Sequence, residues 1–180
     1  MGVLRVLGID PGLNVTGYGV LEAARGGARL LEGGVVRSAR AGQPLEQRLQ
    51  TIHAGISAVL TEFRPTAVAM EDLYTHRIRP ATVITIAHAR GVACLAAAQH
   101  GVPVFTYTAG QVKNYLTGQG RASKDQMQRM VQITLKLAEL PEPPDVADAL
   151  AVALYHLDVA GRGWVLGPAG RVVNMLGAPP

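Results

Sequence analysis

Cysteine is all but missing from this 180-residue chain, where Cys94 stands alone. No disulfide can close within it, and no multi-thiolate metal site can be built. Lysine is scarce as well. Only Lys113, Lys124 and Lys136 occur, so 14 of the 17 cationic side chains are arginine, the residue best shaped for bidentate phosphate contacts. The N-terminus shows no basic segment leading into a signal-like apolar stretch and cleavage site. Met1-Gly2 opens like a myristoylation signal, but Val6 stands where Ser or Thr is needed. No apolar run approaches the roughly 20 residues of a membrane span. A soluble, cytoplasmic chain is the expectation. Internal repeats and low-complexity segments are absent too.

What is present describes a folded domain. Hydrophobic residues make up 48% and charged residues 17%, the balance of a globular protein. A single domain of this size buries about 70% of its unfolded surface, enough for a core without staples. We expect it to span residues 1–160, with 161–180 as a mobile C-terminal tail. Net charge is +4 and the pI is near 9.6, a mild bias toward polyanionic partners.

Val3–Ile9 is nearly continuous in apolar residues, as a strand covered on both faces should be. It ends at Asp10, and Pro11-Gly12 turns the chain. Gly17–Glu22 and Arg29–Arg37 read as two returning strands, with Gly17 and Gly19 permitting close backbone approach. Pro44–Phe63 has helical apolar spacing, stopped by Arg64-Pro65. A short strand, Thr66–Met70, then ends at Glu71. The polar loop Tyr74–Pro80 leads into a small-residue helix, Ala81–His100. Its apolar surface runs most of the way round, so it is buried on several sides or packs on a partner. A strand over Val102–Tyr107, a helix over Ala109–Leu116, a basic loop and a Ser123-capped helix to about Leu137 follow. The last helix, from Asp145 to about Ala160, starts after Pro144.

Three features share one theme. Asp10 ends the first strand, Glu71 ends a strand able to lie beside it, and Asp145 and Asp148 occupy one face of the last helix's first turn. Singly, each has an ordinary explanation as a turn residue or a helix-dipole partner. Together they describe a crowd of carboxylates whose repulsion a cation would relieve. An all-oxygen site without Cys or clustered His selects Mg²⁺ or Mn²⁺ over Zn²⁺. Two such ions about 4 Å apart suit phosphoryl transfer.

The order GIDPG…GYGV, AMEDLY, ARGVACLAAA, GVPVFTYTAGQVKNYLTGQGRASKDQM and DVADALAVALYH resembles the RuvC-type Holliday junction resolvases. The resemblance covers roughly Val3–Leu157. It implies an α/β, ribonuclease H-like fold with a five-stranded mixed sheet flanked by helices. It also implies a Mg²⁺-dependent endonuclease, with two ions per site, that nicks four-way junction DNA symmetrically as a homodimer. A branch-migration motor of the RuvA and RuvB type is its implied partner. Asp10, Glu71, Asp145 and Asp148 match the family's catalytic and metal-binding acids. Lys113 and Lys124 match basic residues near the scissile strand or junction backbone. Tyr74 matches an aromatic, often Phe, that stacks on a junction base, and the helix around Arg90–Ala98 looks like the dimer-forming one. Arg121, in the basic loop, joins the candidate DNA contacts. His76, Arg77 and Arg79 suit a DNA backbone as readily as they suit solvent.

Two other readings fit parts of the chain. Actin and sugar-kinase-type proteins share the strand–Asp–Gly turn, but need two similar domains, and no second such turn occurs here. A non-catalytic DNA-binding module would set Asp10 and Glu71 against bound phosphates with nothing to offset the repulsion.

Overall fold

The apolar N-terminal run becomes strand β1, Arg5–Asp10. Strands β2, Val15–Ala24, and β3, Gly27–Arg37, continue it as an antiparallel meander. Gly26, at φ 81°, closes the tight β2–β3 turn in a backbone conformation that suits glycine. Helix α1, Leu45–Phe63, crosses to β4, Ala67–Glu71. Helix α2, Pro80–Gln99, crosses to β5, Val104–Tyr107. Three helices follow: α3, Ala109–Thr117, α4, Lys124–Leu135, and α5, Pro144–Gly161. The computed structural model describes residues 3–38, 42–73 and 80–161, and the backbone of 165–166 and 172–173.

The sheet order is β3-β2-β1-β4-β5, with β4 parallel to both β1 and β5. This is the expected five-stranded mixed sheet, and β1 lies at its centre. Side chains alternate across it. Leu7, Ile9, Val20, Val68 and Met70 pack against Ile52, Ile56 and Leu60 of α1 and the alanine row Ala89, Ala93, Ala96 and Ala97 of α2. Val6, Leu21, Ala67, Ala69 and Tyr107 pack on the opposite side with α3, α4 and α5. Each fully buried aliphatic side chain contributes about 1.5–3 kcal/mol.

Helix α5 is the inner helix of that second layer. Its buried residues run around the whole circumference, from Val146 to Val159. Glycines let it lie directly on the sheet. Gly8 pairs with Gly19 and Asp10 with Gly17 across β1–β2, all four on the α5 side. A Cβ at Gly8 would overlap the Ala149 carbonyl, one at Gly17 the Asp145 carbonyl, and one at Gly19 the Leu150 side chain. His156, farther along α5, is buried and 2.7 Å from the Tyr107 hydroxyl through Nδ1. Burial lowers the His156 pKa to about 4 and raises that of Tyr107. The imidazole is therefore neutral, and its Nδ1 shares one hydrogen bond with the tyrosine hydroxyl. A structural role for His156 fits this placement.

The boundaries of the expected strands and helices match the sequence reading to within two residues, and three points add detail. Strand β5 begins at Val104, two residues later than expected. Helix α4 stops at Leu135, because Lys136 turns left-handed and donates back to the Gln132 and Ile133 carbonyls. In the segment expected to be a mobile tail, Val165–Leu166 and Val172–Val173 form a short antiparallel pair, β6 and β7. Two residues are too few for alternation to register in a sequence, and the rest of 162–180 lies outside the described residues.

The expectation that no apolar run approaches a membrane span needs correction. Helix α2 has the length and apolar composition to cross a bilayer. Its own fold accounts for one side only: Ala89, Ala93, Ala96 and Ala97 are buried against the sheet and α1. On its other faces Ile84 is 56% exposed and Leu95 53%. The composition belongs to a helix that docks on a sheet with one side and offers apolar side chains with another.

The α5 packing gives a direct test. Gly8→Ala should destabilise the chain by about 1–3 kcal/mol, because the new methyl meets main chain that can move only with the whole helix. Gly110→Ala, whose Cβ would meet nothing closer than Thr108 Oγ1 at 4.0 Å, should be neutral or slightly stabilising. Thermal unfolding of the two variants beside the unaltered chain decides it; equal effects would remove the contact from the account.

Candidate active site

Strand parity aims two of the acids at one place. Ile9 pairs with Met70 in the parallel β1–β4 ladder, so Asp10 and Glu71 are the next residues along adjacent strands. Both leave the sheet on the side opposite Ile9 and Met70, toward α5. Asp145 lies over Gly17, the cross-strand partner of Asp10. Asp148 follows one helical turn later. The first turn of α5 begins with Pro144, and the Val146 N–H bonds to the Pro143 carbonyl.

Two capped helices supply the cations. Thr108 and Gln111 form a reciprocal capping box that starts α3, placing Lys113 in its second turn. Ser123 and Gln126 form the same box at α4, placing Lys124 immediately after the cap. A cleft of about 290 Å³ results, lined by Asp10, Glu71, Asp148, Lys113 and Lys124 among others. Asp145 is not part of its wall; it acts on Asp10 and Asp148 through charge. Lys124 Nζ lies 3.5 Å from Asp148 Oδ2, with the lysine side chain 79% exposed.

Crowding and burial set the electrostatics. Asp10 is pushed up to about 7, first by burial and then by the charges of Asp148, Asp145 and Glu71, with Lys124 opposing. Asp148 is also raised, mainly by burial, while Lys124 pulls it back. Glu71 opens to solvent at the cleft, yet enough protein surrounds it that lost hydration, then Asp148, raise its pKa against Lys113 and Lys124. Carboxyl groups raised by burial and by one another's charge are poised either to keep protons or to exchange them for a cation.

The donor chemistry fits a hard divalent cation. Among the described residues that line it, the cleft offers carboxylate oxygens and neither Cys nor His. Among the described residues no three Asp, Glu, His or Cys side chains are already closed into a ligand shell; the acids share a cleft at wider spacing. Arg121 is exposed and outside the lining. Tyr74, His76, Arg77 and Arg79 lie outside the described residues.

A family model described as crossover junction endodeoxyribonuclease RuvC matches residues 6–156. The chain belongs to the RuvC family. A RuvC from Rhodopirellula baltica is 50% identical over 151 residues, 83% of each chain. One from Moorella thermoacetica is 46% identical over 157 residues, 87% of this chain and 93% of its own. Among solved structures, Thermus thermophilus RuvC in complex with Holliday junction substrate superposes with a TM-score of 0.81 at 42% identity, covering 87% of this chain and 94% of that one. The yeast mitochondrial resolvase Ydc2 shares the fold, at a TM-score of 0.58 and 12% identity. The ribonuclease H-like architecture is thus that of RuvC, and the family is one of divalent-metal-dependent nucleases.

Sequence reasoning missed several residues that shape this cleft. Asp72 lines it, accepting from the Leu73 N–H through Oδ1 and donating its own N–H to the Tyr107 carbonyl. Its position beside Glu71 was the available signal. Ile86 of α2 lines it as well, with no chemical signal at all. Gly8 was hidden inside an apolar run.

The raised pKa of Asp10 makes a signed prediction. Its folded value of about 7 exceeds the ordinary 3.8, so between those values the folded chain holds a proton that the unfolded chain releases. Stability from this group is full below 3.8 and is lost as pH rises through 7. In divalent-free buffer at pH 8, Asp10→Asn should therefore raise Tm by about 5 °C. The gain should vanish as pH falls toward 4, and a lower Tm at pH 8 would contradict the crowding of charge.

Proposed function

We propose that this chain resolves Holliday junctions. It cuts two symmetry-related strands of a four-way DNA junction by phosphodiester hydrolysis, leaving 5′-phosphate and 3′-hydroxyl ends, in recombination and repair. The observation that carries the reading is the meeting of Asp10, Glu71 and Asp148 in one cleft with Lys113 and Lys124 beside them, in a chain whose fold and family are those of RuvC.

Asp10, Glu71, Asp145 and Asp148 would hold Mg²⁺, two ions per site, with Mn²⁺ as a substitute. Bound there, the cations supply Lewis acidity for attack by water and for departure of the 3′ oxygen. The protein's own groups do the rest. The acids, ionised when the ions neutralise their repulsion, orient the attacking water and the phosphate. Lys113, half-buried at the cleft wall, meets a phosphate oxygen with a charge-assisted hydrogen bond. Lys124 neutralises Asp148 in the free protein and can swing to the DNA backbone, since its side chain is mostly solvated. Arg121, Arg77 and Arg79 would extend the backbone contacts, and Tyr74 would stack on a junction base. Residues 1–160 act as one nuclease domain.

Paired nicks need two sites, and each chain has one. A homodimer through α2 meets that need, and the exposed Ile84 and Leu95 on that helix supply apolar surface for it. The setting is the cytoplasm, with a branch-migration motor of the RuvA and RuvB type delivering the junction.

The test is incubation with a synthetic mobile four-way junction and Mg²⁺. Symmetric, ligatable nicks are expected, and Ca²⁺ should allow binding without cutting because its coordination is looser. Asp10→Asn should bind the junction and leave it intact. Lys113→Ala should lower turnover about 100-fold with little change in Tm. ATP turnover without DNA, or full cleavage by Asp10→Asn, would defeat the proposal.

A further inference from the structure

Helix α2 carries a single formal charge among small and apolar residues, Arg90. Its guanidinium does not seek a carboxylate. One amino group donates to the Glu71 main-chain carbonyl at 2.6 Å and the other to Thr106 Oγ1 at 2.8 Å. Those acceptors belong to adjacent strands at one level, because Met70 pairs with Thr106 and Glu71 with Tyr107. The planar fork therefore clips together the last rungs of the β4–β5 ladder.

The location matters more than the bond count. Glu71 is the final residue of β4, and strand ends are where a ladder opens most readily. Below it, Val68 and Met70 are gripped by the α1–α2 core. At Glu71 the side chain points away from that core, into the cleft, so side-chain packing no longer holds the strand. Two fasteners replace it: the Asp72 N–H bonded to the Tyr107 carbonyl at 2.7 Å, and Arg90. Arg90 reaches the Glu71 main chain from the α2 side of the sheet, while the carboxylate leaves on the α5 side. The charges that act on that carboxylate belong to Asp148, Lys113 and Lys124. Arg90 touches the Glu71 main chain and not its carboxylate.

We propose that Arg90 is a positioning residue for the divalent-cation site: by holding the Glu71 main chain against β5, it keeps the Glu71 carboxylate aimed into the cleft and ties the apolar helix α2 to the acidic centre. The proposal rests on the reading of Glu71 as a cation-holding acid.

The full chain is titrated with Mn²⁺ in the absence of DNA, followed by electron paramagnetic resonance, and junction cleavage is measured alongside. Arg90→Gln should weaken Mn²⁺ binding about tenfold and lower kcat at saturating junction by about the same factor. Junction affinity in Ca²⁺ should stay within about twofold, since Arg90 acts on a main chain and not on DNA. Arg90→Lys should fail to restore Mn²⁺ binding, because an ammonium is a point donor and does not span both acceptors. Glu71→Gln combined with Arg90→Gln should be no worse than Glu71→Gln alone, as expected for residues acting as a unit. If Glu71→Gln weakens Mn²⁺ binding and Arg90→Gln leaves it unchanged, the proposal is overturned while the reading of the cleft stands. If Glu71→Gln itself leaves Mn²⁺ binding unchanged, the reading of the cleft falls and the proposal with it. Should Arg90→Gln not fold, Thr106→Val removes one of the two bonds: weaker Mn²⁺ binding supports the proposal, and unchanged binding overturns it.

Discussion

The close seat of α5 on the central strands is the constraint from which the rest follows. At Gly8, Gly17 and Gly19 the strands put no side chain of their own under the helix, and Ala149, Asp145 and Leu150 of the helix occupy that space. A helix separated from a sheet by ordinary side chains would stand about 10 Å away. Here its first turn is brought down beside the end of β1. Asp10 ends that strand, and Asp145 and Asp148 open that helix, so the distance between layers sets the distance between carboxylates. The electrostatic cost of the arrangement is visible in the raised pKa values of Asp10, Glu71 and Asp148. Buried carboxylates oppose folding unless something charged compensates. A fold that nevertheless gathers them, and gives the second layer an alanine-rich helix to do so, gives up stability to keep these acids together.

The two faces of the sheet divide the work. On one face, helices α3, α4 and α5 deliver Lys113, Lys124, Asp145 and Asp148 to the strand-end acids, each lysine placed by a capping box at the start of its helix. Helices α1 and α2 supply the apolar backing. Yet the division is not complete. Ile86 of α2 reaches the cleft wall and Arg90 of α2 fastens the end of β4. Whatever covers the exposed side of α2 is therefore one helix away from the acids.

Much of this was legible in the chain. The apolar run of β1 and its abrupt exit at Asp10 identify a buried strand because only a two-sided layer hides so many aliphatic residues. Asp145 and Asp148 read as neighbours because helical geometry puts i and i+3 on one face. What the chain could not disclose is non-local. Gly8 sits in an apolar strand where glycine signals only weakness, and its purpose becomes visible once Ala149 is found on top of it. Arg90 looks like one stray charge on an apolar helix until the Glu71 carbonyl appears beside it. The 20-residue span of α2 has a composition that fits a bilayer, and its docking on a sheet is decided by residues far away in sequence. The β6–β7 pair is too short to carry a period. The strand–helix–strand order ending at Glu71 suggested that β4 could lie beside β1, and the register of Ile9 with Met70 shows how it does.

The central claim is that layer spacing and strand parity make one cation site from Asp10, Glu71, Asp145 and Asp148. Crystals of the chain soaked in Mn²⁺, with diffraction recorded for anomalous scattering, test it most directly. The account predicts anomalous density in the cleft between the ends of β1 and β4 and the first turn of α5, lost in Asp10→Asn crystals. Density confined to other sites, or unchanged in that variant, would contradict it.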